Sequence, residues 1–210
     1  TLEFLALRAR DEGLSQRIIP VRIDPLEGRS LPLESGSADL VVLNGVLEWV
    51  GPARVDSDPV ALQRRVLQDV VRVLRPGGQL YLSIESRFSL AAWLGATDHP
   101  GTRFTSVLPR LVASMVTRRK GLGPYRTYTH SYGALRSLVK SAGFKEISFF
   151  SPFPDYRFPR LVVPLDDARA FRWTIDRPGV SHRFAQLLRA SSRVGLHRDL
   201  VAHFSVVARP

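Results

Sequence analysis

The chain has no cysteine among its 210 residues. This absence excludes disulfide bonds, thiolate catalysis and zinc sites built from cysteine. It is also typical of a reducing compartment, so we expect a cytoplasmic location. Long apolar runs are missing too, since none approaches the roughly 18 uninterrupted residues that a membrane-spanning helix needs. With 44% hydrophobic and 23% charged residues, the composition is that of one globular domain, or of one domain with a large insertion.

Lysine is scarce, because only three of the 30 basic residues are lysine and 27 are arginine. Residues 1–85 carry 10 basic and 12 acidic side chains, whereas residues 86–210 carry 20 and 7. This asymmetry favours an anionic partner for the C-terminal part, such as a phosphorylated substrate or an acidic membrane surface. Arginine-rich codon usage explains the same excess without any partner. Nucleic acid is the weaker interpretation, because no recognisable aromatic–basic spacing accompanies the charge.

Hydrophobic periodicity predicts alternating strands and helices, which indicates a doubly wound α/β sheet. A short apolar strand is predicted at 17–23, and a continuous one at 39–43 that is buried on both faces. The other predicted elements are helices at 2–10, 59–74, 131–142 and 180–194, strands at 79–84, 144–150 and 200–208, and an irregular proline-rich stretch at 151–168.

Three segments in this order resemble the later motifs of class I S-adenosylmethionine (SAM) dependent methyltransferases. They are RIIPVRID at 17–24, LPLESGSADLVVLNGVLEWV at 31–50 and LQDVVRVLRPGGQLYLSI at 67–84. The resemblance covers about residues 1–85 and, more loosely, 128–150 and 199–208. It implies a Rossmann-like, mostly parallel sheet with an antiparallel last strand, and SAM as the cofactor.

The resemblance also implies the positions that bind SAM. Asp24 stands where an acid accepts a hydrogen bond from the adenine amino group, with Pro25 and Leu26 beside it. Asn44 and Gly45 stand where the backbone runs along the methionine and ribose of SAM. Trp49 replaces the histidine of a common Leu-Glu-His motif, and it either stacks on adenine, caps the pocket or is a buried core residue. A common turn-starting role for Asp24 remains the alternative.

The glycine-rich loop that holds the methionine end of SAM in this family has no counterpart in the chain. We therefore expect the fold to be incomplete at its N-terminus, and the chain alone to bind SAM poorly and to be inactive. A truncated gene product is the simplest explanation.

A general base is needed only where the methyl acceptor must lose a proton. Candidates are Glu85 at a strand end, Tyr128 and His130 before a helix, and the loop residues Asp155 and Tyr156. For His130, local hydrogen bonding at a helix start is the alternative. The five histidines are scattered without metal-ligand spacing, so we expect no metal.

The predicted organisation is a partial SAM-binding core at 1–85, an insertion or lid at 86–127, a core helix and strand at 128–152, a substrate cap at 153–198 and a last core strand at 199–210. Within the insertion, Val107 to Lys120 predicts an amphipathic helix that either covers the active site or lies on anionic lipid. We expect methyl transfer to a small-molecule, sugar or lipid-linked acceptor. The alternatives are a non-catalytic domain that binds a partner, and a module of a larger sugar-modifying enzyme of the cell envelope.

Overall fold

The computed structural model describes residues 2–23, 31–99, 101–175 and 182–210, with the side chains of 182–184 left out. The chain divides into two compact units, 1–32 and 33–210. In the first unit, helix α1 (Leu2–Asp11) ends near Gly13, whose φ of +69° suits glycine at a helix C-terminus. The strand predicted at 17–23 does not form. An apolar run becomes a strand only when another strand accepts its backbone hydrogen bonds, and 17–23 are paired with none of the described strands.

The second unit is built on a five-stranded mixed sheet with the order β1-β2-β5-β3-β4. The strands are β1 (Ala38–Asn44), β2 (Leu74–Glu85), β3 (Glu146–Phe153), β4 (Leu161–Pro164) and β5 (His203–Arg209). β1 and β2 are parallel, whereas β5 runs antiparallel to both β2 and β3. The predicted α/β sheet with an antiparallel last strand is therefore confirmed.

β1 departs from its prediction, because it is not buried on both faces. Leu40 is 56% and Val42 is 54% exposed, and both side chains point to the same face of the strand. β1 is the edge strand of the described sheet, so its backbone and one face lack the cover that an inner strand has. The continuous apolar pattern alone does not distinguish these two positions.

Helix α2 (Pro59–Val73) and helix α5 (Tyr132–Ser141) begin and end close to the predicted positions. Asp58 caps α2 by accepting a 2.8 Å hydrogen bond from the Ala61 N–H, and Ser131 caps α5 in the same way. The segment Arg75–Gly78 ends α2 as predicted, but it also belongs to β2. There it loops out as a bulge, since Ala38 pairs with Leu74 and Leu40 with Gln79.

The core of this unit lies along the middle strands. Leu80, Leu82 and Ile84 alternate on β2 and are fully buried, and Phe149 of β3 packs edge-on against Phe204 of β5 at 6.0 Å. Leu67 and Val70 supply the buried face of α2. Burying these side chains stabilises the sheet by about 25 cal/mol per Å² of apolar surface.

The remaining helices lie in the segments between β2 and β3 and between β4 and β5. They are α3 (Leu90–Trp93), α4 (Arg110–Arg119), α6 (Ala168–Ile175), α7 (His182–Ser192) and α8 (His197–Leu200). The helix predicted at 180–194 corresponds to α7, while β4 and the end of β3 occupy the stretch at 151–168 that was predicted to be irregular. The prolines of this stretch misled the prediction, because Pro164 ends β4, an edge strand, where proline is tolerated. In the described part of the chain, no helix is both long and apolar enough to cross a membrane.

Candidate active site

The carboxyl ends of the parallel strands β1 and β2 lie side by side, which is where ligands bind in doubly wound sheets. Asn44 pairs with Ser83 in the strand register, and the Gly45 N–H donates a 2.9 Å hydrogen bond to the Ser83 carbonyl oxygen. Gly45 has φ of +66°, and a Cβ atom there would come within 2.7 Å of the Tyr156 hydroxyl. Glycine is therefore required twice at this position, by its backbone conformation and by the close approach of Tyr156.

Glu85, the last residue of β2, forms an ion pair with a histidine from the insertion. Its Oε2 atom lies 3.2 Å from Nε2 of His99. The contact with Glu85 raises the pKa of His99, against the opposing effect of burial. Burial acts to raise the pKa of Glu85, but the contact with His99 and the charges of His203 and Arg157 hold it below its ordinary value. The pair is consequently charged on both sides over a wider pH range than the isolated groups would be.

A tight loop centred on Asp98 holds His99 in place. Oδ1 of Asp98 accepts a 2.8 Å hydrogen bond from the His99 N–H. Oδ2 accepts hydrogen bonds from the hydroxyls of Thr105 at 3.0 Å and Tyr125 at 2.9 Å. The Asp98 N–H in turn donates to the carbonyl oxygen of Thr102. Because these bonds are local to the insertion, they fix the loop that carries His99 without occupying the imidazole ring.

Glu48 contributes a fully buried carboxyl group to the same place. It lies in the 3-10 turn Leu47–Trp49, directly after β1, and is 0% exposed. Neither carboxyl oxygen has a hydrogen-bond partner. Burial raises the pKa of Glu48. The charge of His99 acts to lower this pKa, and the charge of Glu85 acts to raise it. An acid without a partner at the end of a strand is costly to the fold and is therefore a candidate for contact with a ligand.

Trp49 closes one side of this cluster. Its ring packs against the imidazole of His99 with 4.8 Å between centroids, and 48% of the side chain is exposed. The alternative of a buried core tryptophan is therefore wrong. Asn44 is exposed as well.

Tyr156 and His203 close the other side. The two rings meet edge to face with 4.9 Å between centroids, and His203 is the register partner of Glu85. Tyr156 is 7% exposed, and burial raises the pKa of its hydroxyl. We refer to Glu48, Glu85, His99, Tyr156 and His203 as the strand-end cluster.

Of the other three catalytic candidates, Asp155 accepts a 2.9 Å hydrogen bond from the Arg157 N–H. Tyr128 and His130 are held in a separate hydrogen-bond network. The Gln63 side chain donates to the carbonyl oxygens of Leu47 and Tyr128, and its Oε1 lies 2.7 Å from Nε2 of His130. Burial and the charges of Arg110 and Arg87 lower the pKa of His130 to about 4. The partner of His130 is thus 67 residues away in sequence, rather than local as the alternative interpretation supposed.

The guanidinium of Arg110 covers the ring of Tyr128, with 4.1 Å between Cζ and the ring centroid. This stacking and the hydrogen bond from Gln63 to its backbone place Tyr128 against the insertion. Asp24, Pro25 and Leu26, predicted to bind adenine, lie outside the described residues.

One group of possible metal ligands occurs in the described part of the chain. Glu85, Asp98 and His99 offer ligand atoms that lie within 4.8 Å of one another. The two carboxylates flank one imidazole, and Asp98 already accepts three hydrogen bonds. The expectation that the protein binds no metal stays a prediction, because these three side chains offer a possible set of ligands.

Sequence reasoning missed Glu48, His99 and His203. Glu48 stands inside the recognised Leu-Glu-Trp motif, so the motif was an available signal for it. His99 is followed in the sequence by Pro100 and Gly101 of the insertion, and His203 belongs to the last strand. Nothing local in the sequence indicates that either histidine meets Glu85.

Comparisons with known proteins agree with the motifs. Residues 2–82 match the family model of a methyltransferase domain, and no curated protein matches the chain. Similar solved structures include the cyclase SpnF, with 17% identity, a TM-score of 0.49 and coverage of 100% of this chain and 63% of that chain. A SAM-dependent methyltransferase from Thermotoga maritima, described as a possible histamine N-methyltransferase, has 15% identity, a TM-score of 0.46 and coverage of 95% and 68%.

A SAM-dependent methyltransferase from Archaeoglobus fulgidus has 14% identity, a TM-score of 0.44 and coverage of 99% of this chain and 81% of that chain. The chain spans 63%, or less than two thirds, of the length of the cyclase structure. The family match identifies residues 2–82 as similar to a methyltransferase domain, in agreement with the resemblance of the motifs at 17–84 to the class I SAM-dependent methyltransferases.

Proposed function

We propose that this chain is part of an enzyme that transfers the methyl group of SAM to a small-molecule acceptor bound at the strand-end cluster. The observation that carries the proposal is the ion pair between Glu85 and His99 at the carboxyl end of β2, beside the buried acid Glu48. Asn44, Gly45 and Trp49 at the end of β1 are the proposed contacts of SAM on the described part of the chain.

Methyl transfer from a sulfonium is an in-line displacement, so positioning the two reactants supplies much of the rate. An acceptor hydroxyl or ammonium group must also lose a proton. In this proposal the neutral form of His99, which is populated above its raised pKa, takes that proton, and Glu85 holds the ring and stabilises the imidazolium that forms. His99 also packs on Trp49, the residue that replaces the histidine of the common motif, and so brings an imidazole back to that neighbourhood.

The chain by itself is proposed to bind SAM weakly, since no acid-x-Gly-x-Gly pattern precedes residues 17–84 in its sequence. The methionine carboxylate of SAM is an anion of the kind that backbone N–H groups of a glycine-rich turn hold. Lipid-linked or anionic acceptors belong to the same proposal, supported by the net charge of +13 over residues 86–210.

The test measures SAM affinity and methyl transfer on the 210-residue chain and on the longest reading frame that contains it. Isothermal titration should give a dissociation constant weaker than about 1 µM for the short chain. Transfer of labelled methyl from SAM to a panel of amines, phenols and phosphorylated sugars should require the longer protein. In that protein, His99→Gln should lower kcat on the order of a hundredfold or more while SAM affinity stays within about twofold.

Arg65→Gln, on the exposed face of α2, serves as the matched control and should leave both quantities unchanged. A dissociation constant of about 1 µM or tighter for SAM and the short chain would contradict the role given to the glycine-rich turn. Unaltered kcat in His99→Gln, with the acceptor identified, would remove the proposed proton transfer.

A further inference from the structure

Helix α4 (Arg110–Arg119) exposes its apolar side to solvent, whereas a helix of a globular protein usually buries that side. Leu111 is 82%, Met115 is 56% and Leu122, just beyond the helix, is 51% exposed. With Arg118 these residues recur at intervals of four, three and four, so they share one face. The buried residues of α4 are the small Ala113 and Thr117.

The inward side of α4 is fixed to the rest of the insertion. Arg110 donates a hydrogen bond to the Thr129 carbonyl oxygen, and its guanidinium lies over the rings of Tyr125 and Tyr128 at 5.4 and 4.1 Å. Arg110, Ala113 and Thr117 follow one another at helical spacing. The helix is thus held by this side, and its outward apolar face is a fixed feature of the surface.

The outward face ends in a group of positive charges. Arg118, Arg119 and Lys120 are all exposed. No aspartate or glutamate occurs in residues 99–145, which contain nine lysines and arginines. An apolar face on a helix that ends in exposed basic side chains, with no acid nearby in sequence, complements an anionic lipid surface.

We propose that α4, with Leu111, Met115, Leu122 and the basic group Arg118–Lys120, docks the protein on anionic membranes. The apolar side chains enter the boundary between headgroups and acyl chains, and the basic group contacts acidic headgroups. A lid over the strand-end cluster would instead turn the apolar face inward, whereas here Ala113 and Thr117 face inward. The proposal is independent of methyl transfer.

The experiment measures binding of the 210-residue chain to vesicles by sedimentation. One set of vesicles is pure phosphatidylcholine, and the other contains about one third phosphatidylserine. The chain should bind the acidic vesicles at least tenfold more tightly. Binding should weaken when the ionic strength is raised from about 0.1 M to about 1 M, which shortens the screening length from about 10 Å to about 3 Å.

Two variants distinguish the effect of the basic group on vesicle binding from the effect of the net charge. Replacing Arg118, Arg119 and Lys120 by glutamine should weaken binding about fivefold per residue, on the order of a hundredfold in all. The control replaces Arg65, Lys140 and Lys145 by glutamine. These residues are exposed on other parts of the surface, and their replacement removes the same amount of positive charge. An equal loss in both variants would show that net charge alone drives binding, and would overturn the proposal.

A second pair tests the apolar face. Leu111→Gln with Met115→Gln should weaken binding to acidic vesicles at least tenfold, whereas Val55→Gln with Val194→Gln, at exposed apolar positions elsewhere, should not. Circular dichroism and sedimentation velocity confirm that each variant is folded and report its oligomeric state. Equal binding by both pairs, or a dimer that forms through α4 while acidic vesicles stay unbound, would refute docking on lipid.

Discussion

The carboxyl group of Glu48 destabilises the fold, since it is fully buried and neither of its oxygens has a hydrogen-bond partner. Its pKa is raised by burial, so stability falls as pH rises from the ordinary glutamate value through the raised one. We expect Glu48→Gln to raise the free energy of unfolding by about 1 kcal/mol at neutral pH. Urea denaturation measures this gain.

The gain in stability should shrink as the pH falls towards the ordinary pKa of glutamate, because the wild-type carboxyl group is then neutral too. Activity of the intact enzyme should fall in the same variant, as expected where a strained charge serves a ligand. A variant that is less stable at neutral pH would mean that Glu48 has a stabilising partner.

The contribution of His130 to the free energy of unfolding should depend on pH in the opposite direction. Its pKa of about 4 in the folded protein lies below the ordinary histidine value of 6.5. The unfolded chain therefore binds the extra proton first, and the stabilisation is complete above pH 6.5 and lost as the pH falls towards 4. The loss is on the order of 3 kcal/mol.

His130→Asn should remove this dependence, because asparagine does not titrate. The measurement compares the free energy of unfolding of both proteins at pH 7 and at pH 4.5, which cancels the contribution of other acids. Parallel losses in the two proteins would contradict the shifted pKa.

At the scale of elements, helix α2 connects the turn after β1 to the segment before α5. The connection is one side chain, Gln63, which donates to Leu47 and Tyr128 and also contacts His130. Gln63→Met keeps the length of the side chain and leaves two buried carbonyl oxygens without this donor. We expect a loss of about 2–4 kcal/mol in urea unfolding.

A comparable change at Arg65, on the exposed side of α2, should cost less than about 0.5 kcal/mol. Gln63→Glu separates shape from charge, since a buried carboxylate would repel the same carbonyl oxygens and cost more than methionine. A loss below about 1 kcal/mol in Gln63→Met would show that water replaces the amide.

The extent to which the elements could be predicted depended on the range of the interactions that form them. The N-caps Asp58 and Ser131 and the break at Arg75–Gly78 are local, so their positions were predictable from a few residues. The pairing of Ser86 with His130 depends on a partner far away in sequence. The site divides in the same way: Glu85 was predictable at a strand end, whereas the arrival of His99 depends on the folding of the whole insertion.

At the scale of the whole molecule, β1 leaves one edge of the described sheet open. Exposed Leu40 and Val42 lie on this strand, and an open apolar edge is a template for strand addition. We expect the purified chain to self-associate at high concentration. Val42→Lys should reduce light scattering over time at least severalfold, because lysine opposes edge-to-edge pairing.

The control is Val162→Lys on β4, the strand at the other end of the sheet, where Val162 is 44% exposed. It should have a smaller effect, since β4 is only four residues long and contains Pro164. Equal protection by the two variants would place the association elsewhere.

The open edge also bears on how the candidate site is composed. A strand that pairs with β1 in the parallel sense would lie about 4.8 Å from it, with its own carboxyl end next to Asn44. The first residue beyond that end would then face Gly45 and the turn that carries Glu48. A strand at this edge would therefore add its own residues to the corner beside Gly45 and Glu48, and those residues would influence which ligand binds there.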